Sequence, residues 1–384
     1  MVTAEGQASG ARATGFAGKV ALVARKEPGV TGTSRFAATL LDALRASGTD
    51  VELAPLGLGP VAAPLASAAK RAGVDLATFF GQYPLAMPRR AADVYHLATQ
   101  TLATLCLRRP DRPVVVTVHD IIPYLLRHDR KLRAYGHAIH RWFDYAAMRG
   151  IARATVIAAD SEWTRQTLIR ELRIPEERVR VVRLGIDSEL FRPTRPDKAF
   201  WVRYGLDPDR PFALYVGSED PRKNVASLIR AIALVPELQL VKVGAAHHER
   251  EHTRLIALAS ELGLDRSVHW LRHVPEADLP RFYTAARVVV LPSMWEGFGL
   301  PVLEGMACGT RVVCANATSL PELAGADSIL CEPSPAALAE AIQQGLRGDG
   351  EQPAEARLAW ARSFTWQRTA DDMNAAYAAA VAHG

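Results

Sequence analysis

Cysteine is scarce in this chain, with four among 384 residues. Cys106, Cys308, Cys314 and Cys331 show no C-x-x-C spacing and have no histidines at zinc-finger distances. That excludes a structural zinc or a disulfide framework and leaves buried free thiols as their reading. No stretch reaches the roughly 18 uninterrupted apolar residues of a membrane-spanning helix. The amino end has no apolar signal core, so the expected location is the cytoplasm. Basic residues are not interleaved with aromatics, and no helix-turn-helix or zinc-finger pattern occurs, which argues against nucleic acid as a partner. Asp207-Pro-Asp209 has the Asp-x-Asp form but falls in a turn before a strand. No other cluster offers oxygens at ion-binding spacing, so no obligatory metal is expected.

The rest of the composition is that of an ordinary globular protein, 49% hydrophobic and 23% charged, and the length is about twice a usual domain. Two domains are therefore expected, each with its own core, behind a small, polar tail over residues 1–18 that is expected to fray. Charge is divided unevenly. Residues 1–195 carry 28 Lys and Arg against 18 Asp and Glu, and residues 196–384 carry 18 against 23. The basic half suits an anionic membrane surface or a phosphorylated substrate. Arg127, Arg130, Lys131, Arg133, Arg141 and Arg149 form its densest stretch, readable as a peripheral membrane contact or as a solvated helix face.

Along the chain, apolar runs alternate with segments of helical spacing. Val20–Ala24, Val51–Pro55, Val114–Val118, Thr155–Ala159 and Arg178–Leu184 read as strands, with helices at Ser34–Ala46 and around Ile139–Ala147. A proline-punctuated stretch, Gly185 to Pro196, marks the domain boundary. The alternation restarts with strands Phe212–Val216, Leu238–Val243, Val268–Leu271, Val288–Leu291, Arg311–Ala315 and Ser328–Cys331. Helices Val225–Val235, Thr253–Leu262, Asp278–Ala286, Pro301–Ala307, a short one near Pro321, and Pro335–Leu346 lie between and after them. Such alternation predicts an α/β protein: two Rossmann-like, doubly wound parallel-sheet domains with a cleft between them and ligands at the carboxyl ends of the strands. The domains run 19–195 and 196–363, and 364–384 is a helix without a strand partner.

Three strand ends carry the candidate chemistry. Ser293-Met-Trp-Glu296-Gly-Phe-Gly299-Leu-Pro301-Val-Leu-Glu304 joins a buried strand to a helix. Gly297 and Gly299 permit a tight turn, Pro301 fits the first helical turn, and the free amides of that turn suit a diphosphate. Glu296 and Glu304 offer carboxylates to vicinal hydroxyls; in the alternative reading Glu304 only complements the helix dipole. Gly217, Arg222 and Lys223 follow the strand Phe212–Val216, where two cations suit a leaving diphosphate. His119 and Asp120 end the strand Val114–Val118. A histidine there can bond a sugar hydroxyl or act as a base, or be structural. Gly29-Val-Thr-Gly32 is a weak loop signal lacking the third glycine of a dinucleotide fold. It reads as an acceptor-side loop.

These residues make the sequence resemble glycosyltransferase family 4, retaining enzymes of the GT-B fold, over nearly the whole chain. The likeness rests on Glu296 and Glu304 separated by seven residues, Val216-Gly217 with Arg222-Lys223-Asn224, His119-Asp120, Ala159-Asp-Ser161-Glu162, Leu184-Gly-Ile-Asp187 with Phe191-Arg-Pro193, and Phe364-Thr-Trp366. The resemblance implies transfer of a sugar from a nucleoside diphosphate donor to an acceptor hydroxyl on a glycan, glycolipid or natural product, with no obligatory cofactor. It implies that Lys223 and Arg222 contact the diphosphate and that Glu304 holds the ribose. Glu296 and the amides of Phe298, Gly299 and Leu300 face the transferred sugar, His119 reaches it from the opposite domain, and the base lies against His273 and Val274. It also implies that helix 364–384 crosses back to the N-terminal domain. Ser218 and Arg272 stand where many relatives have Arg and Gly. Sugar-nucleotide epimerase or hydrolase activity on the same fold, and a non-catalytic nucleotide-binding protein, are the alternatives.

Overall fold

The computed structural model describes residues 15–25, 32–56, 84, 86–88, 90–129, 131–132, 138–246, 249–325, 327–347 and 354–383. Two six-stranded sheets account for the strands among them. The first contains β1 (Lys19–Arg25), β2 (Asp50–Leu56), β3 (Val94–Leu97), β4 (Val114–Val118), β5 (Val156–Ala159) and β6 (Val179–Val181), in the order β2-β1-β3-β4-β5-β6. The second contains β7 (Phe212–Val216), β8 (Gln239–Val243), β9 (Val268–Leu271), β10 (Val288–Leu291), β11 (Val312–Ala315) and β12 (Ile329–Cys331), in the order β12-β11-β10-β7-β8-β9. The strands pair in parallel, β1 with β2 and β3, β3 with β4, and each neighbouring pair of the second sheet, for example Leu214 opposite Val241 and Val290 opposite Val313. Both sheets are Rossmann-like, as the alternation predicts.

The central strands are short and almost wholly β-branched or aliphatic because helices cover both faces. Val288, Val289, Val290 and Leu291 are all buried, as are Val114, Val115, Val116 and Val118. Packing is close enough to dictate residue size. A Cβ on Gly305 would lie 3.0 Å from Val289 Cγ2 and 3.3 Å from Val312 Cγ2, so the Leu300–Ala307 helix rests closely on β10 and β11 there. Proline in the first turn opens the Leu300–Ala307, Leu320–Ala324 and Pro335–Leu346 helices.

The chain divides into two compact units, Met1–Thr117 with Arg149–Ala158 and Gln367–Gly384, and Val118–Met148 with Ala159–Trp366. The carboxyl ends of β4 and β5, bearing His119 and Asp160, thus belong to the same unit as the second sheet. In the first unit the final helix, Trp366–His383, is fixed by polar contacts. Thr49 Oγ1 donates to Asn374 Oδ1 at 2.8 Å, and buried His96 places Nδ1 2.8 Å from Tyr377 Oη and Nε2 2.7 Å from Thr117 Oγ1. Among the described residues no helix is long and apolar enough to cross a membrane.

Elements absent from the sequence reading include β3, the 3-10 helix Gln100–Leu107, and the Ile122–Leu125, Lys198–Tyr204 and Ala354–Arg362 helices. β3 is four residues long and contains His96, which interrupts its apolar run although all four residues are buried. The expected strand Arg178–Leu184 shortens to Val179–Val181.

Candidate functional site

β7 and β10 are neighbours, while the chain continues outward from β7 through β8 and β9 and from β10 through β11 and β12. This is the point where strand order reverses, and loops leaving adjacent strands there diverge and open a ligand site. The two loops are 217–224 and 292–299. Asn224, in the left-handed region at φ 59°, donates its amide to the carbonyls of Pro292 at 3.0 Å and Pro333 at 2.8 Å. Met294 N donates to Arg222 O at 2.9 Å, and the Arg222 guanidinium to Trp295 O at 2.8 Å.

That stitching brings Lys223 Nζ to 2.6 Å from both carboxylate oxygens of Glu296, with the two side chains 16% and 11% exposed. Ser293 Oγ donates to Glu296 Oε1 at 2.9 Å, and Arg222 adds a second cation at 3.9 Å. Burial pushes the Glu296 carboxyl up, but the Lys223 and Arg222 charges and the two hydrogen bonds outweigh it and hold it below its ordinary value of 4.5. From the other side, Thr318 Oγ1 accepts from Glu296 N, and Ser319 Oγ donates to the carbonyls of Glu296 and Phe298. A Cβ on Gly297 would stand 2.2 Å from His119 O. The turn after Glu296 therefore rests directly on the backbone of His119, and only glycine fits.

Gly299, at φ 111°, ends the turn and is the N-cap of the Leu300–Ala307 helix. The helix thus starts at Leu300, and Glu304 is its fifth residue. Glu304 is 8% exposed and accepts the hydroxyl of buried Tyr283. Burial and the Glu304 charge raise that phenol well above 10. Phe298 is buried, Val274 half-buried and His273 exposed just beyond β9.

His119 Nδ1 sits 2.6 Å from Asp160 Oδ2. Burial pushes the Asp160 carboxyl above its usual value, against the pull of His119. Asp120 Oδ1 accepts from Ile122 N at 3.0 Å, a turn-forming contact. The segment after Asp160 also grips the Glu296 loop: Ser161 Oγ donates to Gly297 O at 2.9 Å, and Glu322 accepts the amides of Glu162 and Trp163 at 2.8 and 2.7 Å. Asp160, Tyr283, Ser293, Thr318, Ser319 and Glu322 were not singled out from sequence. Asp160 and Ser293 stood inside quoted motifs; the others left no local signal.

Among the acceptor-side residues, Gly32 opens the Gly32–Ala46 helix of the first unit, and Gly29 lies outside the described residues. Of the basic stretch, Arg130 and Arg133 also lie outside them. Arg141 is exposed on the Ala138–Ile151 helix beside Trp142 and Tyr145, and Arg127 covers the Tyr124 ring at 4.0 Å. Among the described residues, no three His, Cys, Asp or Glu side chains are grouped to hold a metal ion.

Residues 30–190 match the family model described as Glycosyltransferase Family 4, and residues 199–361 match Glycosyl transferases group 1. The chain belongs to glycosyltransferase family 4. Its relatives include the Escherichia coli O-antigen chain mannosyltransferase B, 34% identical over 61% of this chain and 64% of that one. A Mycobacterium tuberculosis alpha-maltose-1-phosphate synthase is 31% identical over 66% of this chain and 67% of that one. The chain spans less than two thirds of the first of these and 46% of a D-inositol 3-phosphate glycosyltransferase of Mycobacterium ulcerans. Among solved structures, sucrose-phosphate synthase from Thermosynechococcus elongatus has the same fold, with a TM-score of 0.73 at 21% identity over 94% of this chain and 98% of that one. Anabaena HepE, solved with UDP and glucose, gives 0.66 at 21% over 93% and 98%.

Proposed function

We propose that this family 4 member transfers a hexosyl group from a nucleoside diphosphate sugar to an acceptor hydroxyl, with retention at the anomeric carbon and without an obligatory metal. The observation that carries the reading is the Lys223–Glu296 pair at the strand-order reversal, next to the amino end of the Leu300–Ala307 helix. Two cations and the amino end of a helix there complement a diphosphate. The relatives named as mannosyltransferases and hexosyl-transferring synthases support the same class of reaction.

In this reading, the bond between the anomeric carbon and the phosphate oxygen breaks with its electron pair leaving on the diphosphate. The acceptor oxygen bonds to the same face, and its proton passes to a phosphate oxygen. Lys223 and Arg222 oppose the developing charge, which is where preorganised cations act most strongly. Glu296 holds Lys223 in place until donor arrives, then faces the sugar. The amides of Phe298, Gly299 and Leu300 face the same sugar, Glu304 holds ribose hydroxyls, and His273 and Val274 lie along the base. His119, its ring fixed through Nδ1 by Asp160, presents Nε2 to a sugar hydroxyl. The acceptor is assigned to residues 19–195 with Asp120, Gly29 and Gly32. A membrane-borne acceptor is the version favoured by exposed Trp142 and Tyr145 beside Arg141.

Thermal unfolding with UDP, GDP, ADP and dTDP and their sugar conjugates, mannose included, tests this, each with and without chelator. A nucleotide binding only the folded state at 100 times its dissociation constant adds about 2.7 kcal/mol. The expected result is one base that raises the midpoint of wild type with chelator present and leaves Glu304→Ala unmoved. No shift with any nucleotide overturns the reading, and conversion of donor alone to an epimer replaces it.

A further inference from the structure

Outside the site just described, three ionisable side chains meet, and two of them are sealed from solvent. Glu219 and Lys242 are each 1% exposed at the side chain, and Lys242 Nζ lies 2.5 Å from Glu219 Oε1, an ion pair outside the geometry of a directed hydrogen bond. Lys242 directs its hydrogen bond to Gly244 O. His252, from the Glu249–Glu261 helix, places Nδ1 2.8 Å from Glu219 Oε2 and meets the ring of Trp270 edge-on at 5.3 Å. Lys242 occupies a wholly buried strand, where the pattern of β8 calls for an apolar residue. Burial draws its ammonium below the usual lysine value despite Glu219.

A buried ion pair is seldom more stabilising than an apolar pair of the same size, so fold stability alone gives little reason for this one. Its position gives another. Lys242 is registered between Tyr215 on β7 and Trp270 on β9, and the Tyr215 hydroxyl donates to Ser218 O, the residue before Glu219. The loop that carries Arg222 and Lys223 is therefore fastened at Ser218, at Glu219 and again at Asn224. A Cβ on Gly244 would stand 2.5 Å from Gly217 O, so the turns after β7 and β8 touch backbone to backbone.

We propose that Glu219, Lys242 and His252 form a buried anchor that positions Arg222 and Lys223 for the diphosphate of the donor. They are positioning residues, and the inference rests on the diphosphate reading above. A charge pair specifies one place for Glu219 where an apolar side chain would allow several, and the two cations follow within four residues along the chain.

The test compares wild type, the Glu219→Gln/Lys242→Met double variant and Lys242→Arg by amide hydrogen exchange. In the double variant, exchange across 218–224 is expected to accelerate about tenfold while β8 keeps its protection and Lys242→Arg stays near wild type. Unchanged exchange in the loop overturns the anchor. Titration calorimetry with inorganic pyrophosphate should show about tenfold weaker binding in the double variant, with a thermal midpoint close to wild type. Equal affinity overturns the positioning role. Absence of pyrophosphate and nucleotide binding by wild type overturns the diphosphate reading and the positioning role with it, and the exchange result then still decides whether the anchor holds the loop. If the double variant does not fold, His252→Gln, which leaves the ion pair intact, takes both measurements, and wild-type exchange and affinity in it overturn the proposal.

Discussion

Two lysine–glutamate pairs serve the same loop, and they are built for opposite purposes. Lys223 and Glu296 are 16% and 11% exposed and share their contact with Ser293 and Arg222. Lys242 and Glu219 are 1% exposed, and His252 and the Gly244 carbonyl join them. A pair that keeps some solvent exposure can exchange one partner for a ligand at modest desolvation cost, whereas breaking a sealed pair strands a charge, at a cost of about 3–5 kcal/mol. In the proposed reading, the first pair responds to substrate and the second stays put. Their separation within a few residues of one loop lets a rigid backbone carry a side chain that can change partners.

The comparison breaks most visibly at Lys223. Replacing it with Met should lower turnover by about 10²–10³, the range for loss of one preorganised group opposing transition-state charge, measured as kcat at saturating donor. Next in size is Asp160→Asn, expected to lower kcat by about ten- to a hundredfold through loss of a charge-assisted bond to His119. The pH–rate profile should move with little change in donor KM, and Asp160→Glu should recover part of the rate. An unmoved profile would leave Asp160 a purely structural residue. The smallest effect concerns stability. The Glu296 carboxyl is depressed below 4.5 in the fold, so its contribution is present above the ordinary carboxylate value and lost as pH falls through the depressed one. Urea midpoints of wild type and Glu296→Gln should differ by a steady amount down to about pH 4.5 and converge below it.

Much of this was legible from sequence, for a physical reason. β4, β7 and β10 match their sequence boundaries because apolar runs buried on both faces end at polar or proline-bearing turns, and the Pro335–Leu346 helix because Ser334 and Pro335 mark its start. Glu296, Glu304, Arg222 and Lys223 stood out because strand-to-helix turns advertise themselves through Gly and Pro. The pairing of Lys223 with Glu296 joins residues 73 positions apart, and the hold of Glu322 on the Glu162–Leu172 helix spans 160; no local pattern encodes either. Glu304 falls one position deeper in its helix than expected because that helix starts at Leu300 rather than at Pro301. The Lys242–Glu219 pair was hidden for the opposite reason, since a lysine inside an apolar strand reads as a break in the pattern until its partner is seen.

The central claim, that Lys223 releases Glu296 to hold a diphosphate, is tested most directly by calorimetric titration of inorganic pyrophosphate into wild type and Lys223→Met with chelator present. Metal-free binding by wild type that weakens about ten- to a hundredfold in the variant is the predicted result. Equal affinity in the two proteins would contradict the account.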